Sequence, residues 1–298
     1  MAGKSNVEVI SSNATLGADI VGFDIKNMAA EDFTTIREAW MKYLVLRIRD
    51  QEFDDDCYLA FGRGFGDLEL SPRALLTGDP WYPEYPELSR ITNIVDDNGK
   101  ATGTLGSGEA YWHTDMNYLE EPPMGSMLHG LKIPSAGGET GFCNMYKALD
   151  TLAPELRRAI EGKTLKHEKV HSSDGTIRAG LKDPGTDDVR KIPGPIHPMI
   201  MTHPETGRDV LYLGRSINGY IMGMPVDESN NLLDQVWDRA TQDEFTWEQS
   251  WQLGDMIMWD NRSVMHRRNG FGVDDPRLMH RIVIEGTQPY YAPEIIAA

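Results

Sequence analysis

Cysteine is scarce in this chain: Cys57 and Cys143 are the only two in 298 residues. That excludes a disulfide framework and makes a reducing compartment, the cytoplasm, the expectation. Basic charge is also short, with 29 Lys and Arg against 46 Asp and Glu, for a formal net charge of −17. Nucleic-acid binders carry basic stripes and anionic membranes attract polybasic segments, so neither is expected as a partner. No apolar run approaches the ~20 residues of a membrane helix. The opening Met1-Ala2-Gly3-Lys4-Ser5-Asn6 lacks the apolar stretch of a secretory signal. Two common catalytic signatures are missing as well: a Gly-x-x-x-x-Gly-Lys-Ser/Thr phosphate loop and a Gly-x-Ser-x-Gly elbow.

What is present is ordinary in bulk, 40% apolar and 25% charged, as a globular protein with a real core requires. No repeat or break in composition divides the chain, so a single catalytic domain over 1–298 is expected. The first quarter reads as mixed α/β. Phe33, Ile36, Trp40 and Leu44 form one helical stripe over 30–43, and a second helix is expected over 54–65. Strands are expected at 20–25 and 43–48. From about residue 90 the texture becomes short strands between Gly and Pro turns, at 89–94, 110–117, 127–131, 139–144, 165–170, 199–202, 210–213, 245–252, 255–259, 263–268 and 278–285. Helices are expected at 146–161 and 228–241. Many short strands with flanking helices imply a mixed α/β, mainly β protein with a jelly-roll core. The stretch 171–195, rich in Gly and Pro, is either a solvated loop or a lid over an active site.

The chemistry is concentrated in Trp112-His113-Thr114-Asp115. On a strand, His113 and Asp115 project to one face, because side chains alternate. An imidazole beside a carboxylate is two-thirds of the two-His-one-carboxylate face that binds non-haem Fe(II). The third ligand must come from elsewhere. His266 stands out by context, after Gly254-Asp255-Met256-Ile257-Met258-Trp259-Asp260-Asn261-Arg262, although spacing alone does not choose it over His197 or His203. Arg277 and Arg281, four apart on the next strand, share a face. They are either a solvated basic face or two clamps for carboxylates, whose geometry the guanidinium fork matches.

Together these pieces resemble the taurine/2,4-D dioxygenase family of Fe(II)- and 2-oxoglutarate-dependent oxygenases, from Leu16-Gly17-Ala18-Asp19-Ile20 to about Gly286. Trp112-His113-Thr114-Asp115 is similar to the family's metal motif, Gly137-Gly138-Glu139-Thr140 to its Gly-Gly-acid-Thr segment, Trp259-Asp260-Asn261-Arg262 with His266 to its distal ligand motif, and Arg277 with Arg281 to its terminal arginine pair. The resemblance implies a double-stranded β-helix. It implies Fe(II) on His113, Asp115 and His266, 2-oxoglutarate with its far carboxylate on Arg277 and Thr140, and O2 as oxidant. Arg281 is left for a small anionic organic substrate, with Met116, Tyr118 and Arg215 as further pocket candidates. The family also implies a homodimer or homotetramer.

The taurine-type branch carries histidines in the segment after the early helix, where this chain reads Gly66-Asp67-Leu68-Glu69-Leu70-Ser71-Pro72. Gly138-Glu139-Thr140-Gly141-Phe142-Cys143 and the stretch Trp259 to His266 are closer to the aryloxyacetate-type branch, so a carboxylate such as an aryloxyalkanoate is expected. A sulfonate or sulfate ester is the alternative. From other classes, the alternatives are a metal- or anion-binding jelly roll without turnover and a cupin-like enzyme that needs no 2-oxoglutarate. The pairing of Arg277 with Thr140 discriminates, since neither needs both.

Overall fold

The computed structural model describes residues 7–214 and 218–293. An N-terminal layer comes first: strands β1 (Glu8–Ser11), β2 (Ala18–Val21), β3 (Val45–Ile48) and β4 (Ser89–Thr92), with helices α1 (Ala30–Tyr43), α2 (Asp55–Arg63) and α3 (Pro72–Thr77) between them. Helix α1 follows its predicted stripe, burying Ile36 and Trp40. The Asp32 carboxylate accepts the Ala29 N–H at 2.8 Å, satisfying one donor at the open N-terminus. The helix stops at Leu44, whose φ of 67° turns the chain directly into β3.

Three strands follow, β5 (Ala110–His113), β6 (Gly125–Lys132) and β7 (Thr140–Asn144). A long excursion over 145–245 then carries α4 (Met145–Asp150), α5 (Pro154–Ile160), β8 (Thr164–Lys166), β9 (Ile196–Pro198), β10 (Ile200–Thr202), β11 (Asp209–Leu211), β12 (Tyr220–Ile221) and α6 (Val226–Ala240). The chain closes with β13 (Thr246–Gln249), β14 (Met256–Asp260), β15 (Val264–Arg268) and β16 (Leu278–Ile284).

Two sheets result, in the orders β1-β2-β3-β14-β6-β16-β4 and β13-β7-β15-β5. Within them every pairing is antiparallel except β2 with β3. Consecutive strands change sheets: β5 lies in the smaller, β6 in the larger, β7 in the smaller, and β13 to β16 alternate in the same way. The sheets meet through their inner faces, where the Trp259 ring is 5.5 Å from Phe142 and 4.7 Å from His266. The other face of the larger sheet presents Met127, Met256, Met258, Ile282 and Ile284 to α1 and α2, against Trp40, Tyr58 and Phe61. Burying such rings dominates the stability of this layer; truncating one typically costs ~3–5 kcal/mol.

The result is the mixed α/β architecture with extensive sheet that the sequence implied. Local boundaries differ. The helix expected over 146–161 is broken into α4 and α5, because Pro154 lacks an amide proton and Ala153 before it is extended (φ −54°, ψ 139°). Helix α3 is an addition to the sequence reading: Ser71 caps it, Pro72 opens it and Gly78 ends it in the left-handed region. The strand expected at 165–170 ends at Lys166. The stretch 171–195 contains no strand or helix, only an isolated bridge between His171 and Ile177.

Candidate active site

The strand register assembles the centre. His113, the last residue of β5, lies directly opposite His266 on β15, so both imidazoles point to the interior between the sheets. Their ring centroids are 4.1 Å apart. Asp115 follows two residues after His113, with the intervening Thr114 N–H bonded to Gly214 O at 2.6 Å. Its Oδ1 lies 3.7 Å from His113 Nε2 and 3.9 Å from His266 Nε2. Ligand atoms of all three buried residues fall within 4.8 Å of one another.

The donor chemistry fits a divalent metal. His113 Nδ1 sits 2.7 Å from Tyr111 O, so Nδ1–H donates to the carbonyl and Nε2 is left as the ligating nitrogen. Burial and the nearby His113 lower His266 to about 3, which keeps it neutral, the ligating form. Burial alone would raise the Asp115 pKa, but the Arg281 guanidinium, with Nη1 2.7 Å from Oδ1, holds it well below the usual carboxylate range. Ser126 Oγ donates to Oδ2 at 2.8 Å. Two imidazoles and one ionised carboxylate on one face form the set expected for non-haem iron.

The Trp259-Asp260-Asn261-Arg262 turn supports this face from behind. Trp259 packs against His266. Asn261 Oδ1 accepts the Asp115 N–H at 2.8 Å, and its Nδ2 donates to Asp115 O and Pro123 O, each at 2.9 Å. Asp260 accepts Arg262 Nη2 at 2.8 Å and pairs with His203 Nε2 at 2.9 Å. His203 is thereby a structural partner of Asp260, and His197 sits against Leu119 O and the His167 ring. Neither is the third ligand.

Farther along the inner faces, Thr140 on β7 is directly opposite Arg268 on β15. Trp251 Nε1 donates to Thr140 Oγ1 at 3.0 Å, leaving the hydroxyl proton free for an acceptor. Arg277 is 1% exposed, and no carboxylate among the described residues comes within ion-pair distance. Its Nε has no hydrogen-bond partner. Burial, with Arg268 nearby, lowers its pKa to about 9. Both guanidiniums lie over Phe271, Arg268 at 5.3 Å and Arg277 at 5.9 Å. Gly137 (φ 77°) and Gly138 (φ 73°) are positions only glycine adopts readily; a Cβ at Gly137 would come 2.5 Å from Gly270 O. The Gly-Gly pair thus lets the Thr140 strand pass close beside Arg277. A desolvated guanidinium and a hydroxyl with a proton to donate are both groups that a carboxylate can satisfy.

A cavity of about 440 Å³ opens onto His113 and Asp115, and Met116, Tyr118, Arg281 and Arg178 are among its other lining residues. Met116 and Tyr118 therefore reach the pocket as expected. Arg281 lines it too, but its guanidinium is engaged with Asp115. Arg215 lies outside the described residues. Residues 172–174 and 176–179 form part of the wall. Sequence reading missed Ser126, Trp251, Arg268 and Arg178; no local motif marks any of them. Cys143 is buried, donates to Ala240 O at 2.9 Å and is pushed up to about 12 by burial, which excludes it as a nucleophile.

A two-histidine, one-carboxylate face next to a separate buried arginine defines an iron oxygenase that uses a keto-acid co-substrate. The chain belongs to the family described as taurine catabolism dioxygenase TauD, TfdA, which matches residues 8–283. It is accordingly a 2-oxoglutarate-dependent non-haem iron dioxygenase, requiring Fe(II), 2-oxoglutarate and O2. It is 32% identical over 254 residues, 84% of each chain, to the alpha-ketoglutarate-dependent 2,4-dichlorophenoxyacetate dioxygenase of Burkholderia sp. (strain RASC). It is 31% identical over 285 residues, 91% of this chain and 92% of the other, to pentalenolactone F synthase of Streptomyces arenae. A crystal structure of AAD-2 in complex with Mn(II) and N-oxalylglycine superposes with a TM-score of 0.76 at 27% identity, covering 95% of this chain and 98% of that one. No helix among the described residues is long and apolar enough to cross a membrane.

Proposed function

We propose that this protein oxidises a C–H bond of a small organic anion, most simply a carboxylate of the aryloxyalkanoate kind. In this reading O2 and 2-oxoglutarate are consumed, and succinate and CO2 released. His113, Asp115 and His266 hold Fe(II). The bound metal supplies the redox chemistry that couples oxidative decarboxylation of the keto acid to insertion of one oxygen atom into the substrate. The rest of the work is the chain's own. Arg277 and the Thr140 hydroxyl bind the far carboxylate of 2-oxoglutarate. Asn261 and Ser126 fix Asp115, and the Trp259 ring excludes water behind His266.

The observation that carries this reading is Arg277, buried at 1% exposure with no carboxylate among the described residues in ion-pair distance, in a fold that also gathers two imidazoles and a carboxylate. A protein that only stores a metal has no use for it. The alternation of β5 to β7 and β13 to β16 between two sheets supports a double-stranded β-helix core. The position of residues 172–174 and 176–179 on the cavity wall supports a lid within a single catalytic domain. Relatives in the same family that act on 2,4-dichlorophenoxyacetate support a carboxylate substrate.

Anaerobic titration of the apoprotein with Fe(II) and then 2-oxoglutarate tests the reading. A visible charge-transfer band is expected only when both are present, and its loss is expected in His113→Ala and Asp115→Ala. A band that survives either substitution, or none in the parent protein, removes the ligand assignment.

A further inference from the structure

We propose that Arg268 is a third contact for the far carboxylate of 2-oxoglutarate, shared with Arg277 and Thr140, and that it sharpens the selectivity of the site for a dicarboxylic 2-oxo acid. This assignment deepens the dioxygenase reading above and depends on it. It adds to the co-substrate site a residue that no motif marks.

Strand β15 sets the placement. Arg268 lies two residues beyond His266, on the same face of the strand. His266 is directly opposite Phe142 of β7, and Arg268 is directly opposite Thr140, so the four side chains share the inner face. The rings of Phe142 and His266 stack there, 6.3 Å apart. Directly opposed residues of antiparallel strands hold their Cβ atoms ~5 Å apart, so the Arg268 stem starts beside the Thr140 side chain. Arg267 points the other way. Its guanidinium lies over Trp112 at 5.1 Å and comes 3.9 Å from Glu248 Oε2 on the outer surface.

Arg268 is 6% exposed, yet no carboxylate among the described residues comes within ion-pair distance of it. Its Nη2 donates to Gly108 O, and its Nε has no partner. Asp174, the carboxylate whose field reaches it, already accepts the Thr176 hydroxyl at 2.7 Å and the Thr176 N–H at 3.0 Å. Arg277 is the second buried guanidinium of this region. After burial, Arg268 is the cause that draws the Arg277 pKa down, so the two charges act on each other. Both lie over one ring, Phe271. The Thr140 strand also approaches Arg277 closely, since a Cβ at Gly138 would lie 3.5 Å from Arg277 Cδ.

Burying two like charges near each other is costly unless an anion satisfies both. A carboxylate has two oxygens and about four lone-pair sites, enough for two guanidiniums and one hydroxyl. The far carboxylate of the co-substrate is the anion that this site is read to hold. A 2-oxo acid that lacks it leaves both cations unpaired in a desolvated place. Arg268 thereby adds discrimination as well as affinity, because a site with buried polar groups rejects the analogue that cannot pair them.

The test uses full-length protein loaded anaerobically with Fe(II). It is titrated with 2-oxoglutarate and with 2-oxopentanoate, which carries a methyl group in place of the far carboxylate. Binding is read from the charge-transfer band and, without redox chemistry, from calorimetric titration of the Mn(II)-loaded protein with N-oxalylglycine. In Arg268→Met, which keeps much of the stem, 2-oxoglutarate and N-oxalylglycine are expected to bind on the order of ten-fold weaker or more. Binding of 2-oxopentanoate should not weaken, so the preference between the two keto acids falls by the same factor. Arg268→Lys is expected to recover part of that preference. Metal affinity, read by competition with a chelator, should not move. Unchanged 2-oxoglutarate affinity in Arg268→Met overturns the proposal. So does equal weakening of both keto acids, or a loss of metal affinity as large as the loss of 2-oxoglutarate affinity; either would mark Arg268 as a packing residue. A parent protein that binds the two keto acids equally well overturns it too. Absence of the Fe(II)–2-oxoglutarate band from the parent protein is a different result, and it sinks the dioxygenase reading instead.

Discussion

Arg277→Met should change stability and co-substrate affinity in opposite directions. In the apoprotein, Arg277 is a buried cation with no carboxylate in ion-pair distance among the described residues, and its pKa is lowered to about 9 by burial and by Arg268. That lowering corresponds to ~5 kcal/mol against the charged form. Methionine keeps much of the stem and removes the charge. Exchanging a buried charge for an apolar group of similar volume is commonly neutral or stabilising, so the metal-free variant should melt no lower than the parent. With Fe(II) and 2-oxoglutarate the order should reverse. Loss of one partner of a buried charge pair costs ~2–5 kcal/mol, or roughly 30- to 3,000-fold in the 2-oxoglutarate dissociation constant. Ligand at 100 times its dissociation constant stabilises by about 2.7 kcal/mol, a shift on the order of 5–10 °C for a chain of this size. Anaerobic thermal unfolding with and without 2-oxoglutarate should show that shift in the parent and not in the variant. A variant that melts several degrees lower as apoprotein yet keeps the full ligand shift would refute both halves of the reasoning.

Other outcomes can be checked independently. Asn261→Ala removes three hydrogen bonds around Asp115 and Pro123. It should weaken Fe(II) binding while leaving the fold intact, by on the order of ten-fold or more as outer supports of metal ligands typically do, read by competition with a chromogenic chelator. Arg281→Ala should act on the metal before the substrate, because Asp115 loses the cation that keeps it ionised; metal retention should become steeply pH-dependent on the acid side, and unchanged retention would detach Arg281 from that role. His129, stacked on Phe53 at 4.1 Å, is lowered to about 4 by burial and by His280. The native state therefore holds its imidazole neutral while the unfolded chain takes up the proton below about 6.5, so stability should fall between pH 6.5 and 4, by ~3 kcal/mol at most. Urea midpoints across that range should fall less steeply in His129→Phe; an identical slope would remove His129 as the cause.

Local sequence carried the chemistry well where one strand or turn supplied it. His113 and Asp115 two apart, Thr140 after a Gly-Gly pair, and Arg277 and Arg281 four apart all occupy the inner faces in the structure. The α1 stripe was legible because burying Ile36 and Trp40 requires helical spacing. What was not legible depends on pairing between distant strands. His266 was one of several histidines until its register with His113 put the two rings together. Ser126 reaches Asp115, and Trp251 reaches Thr140, from other strands or loops with no motif to announce them. Arg281 lines the cavity, and its contact with Asp115 is one that spacing could not show, because a shared face does not reveal a shared partner. Arg178 sits in a loop without periodicity, so nothing local marks it as part of the cavity wall or as stacked on Tyr118.

The excursion between β7 and β13 has a consequence for how such a protein changes over evolutionary time. The metal face is built from β5, β15 and the turn after β5, whereas the 171–195 wall of the cavity hangs from a hundred-residue detour that enters and leaves the smaller sheet on the adjacent strands β7 and β13. The detour braces that face at a few points, such as Gly214 O on the Thr114 N–H, but the strand register that sets the ligand distances lies outside it. Selection for a new substrate and selection for an intact reaction centre therefore act on separable stretches of chain, so one lineage can acquire new diets while its oxidative chemistry stays fixed.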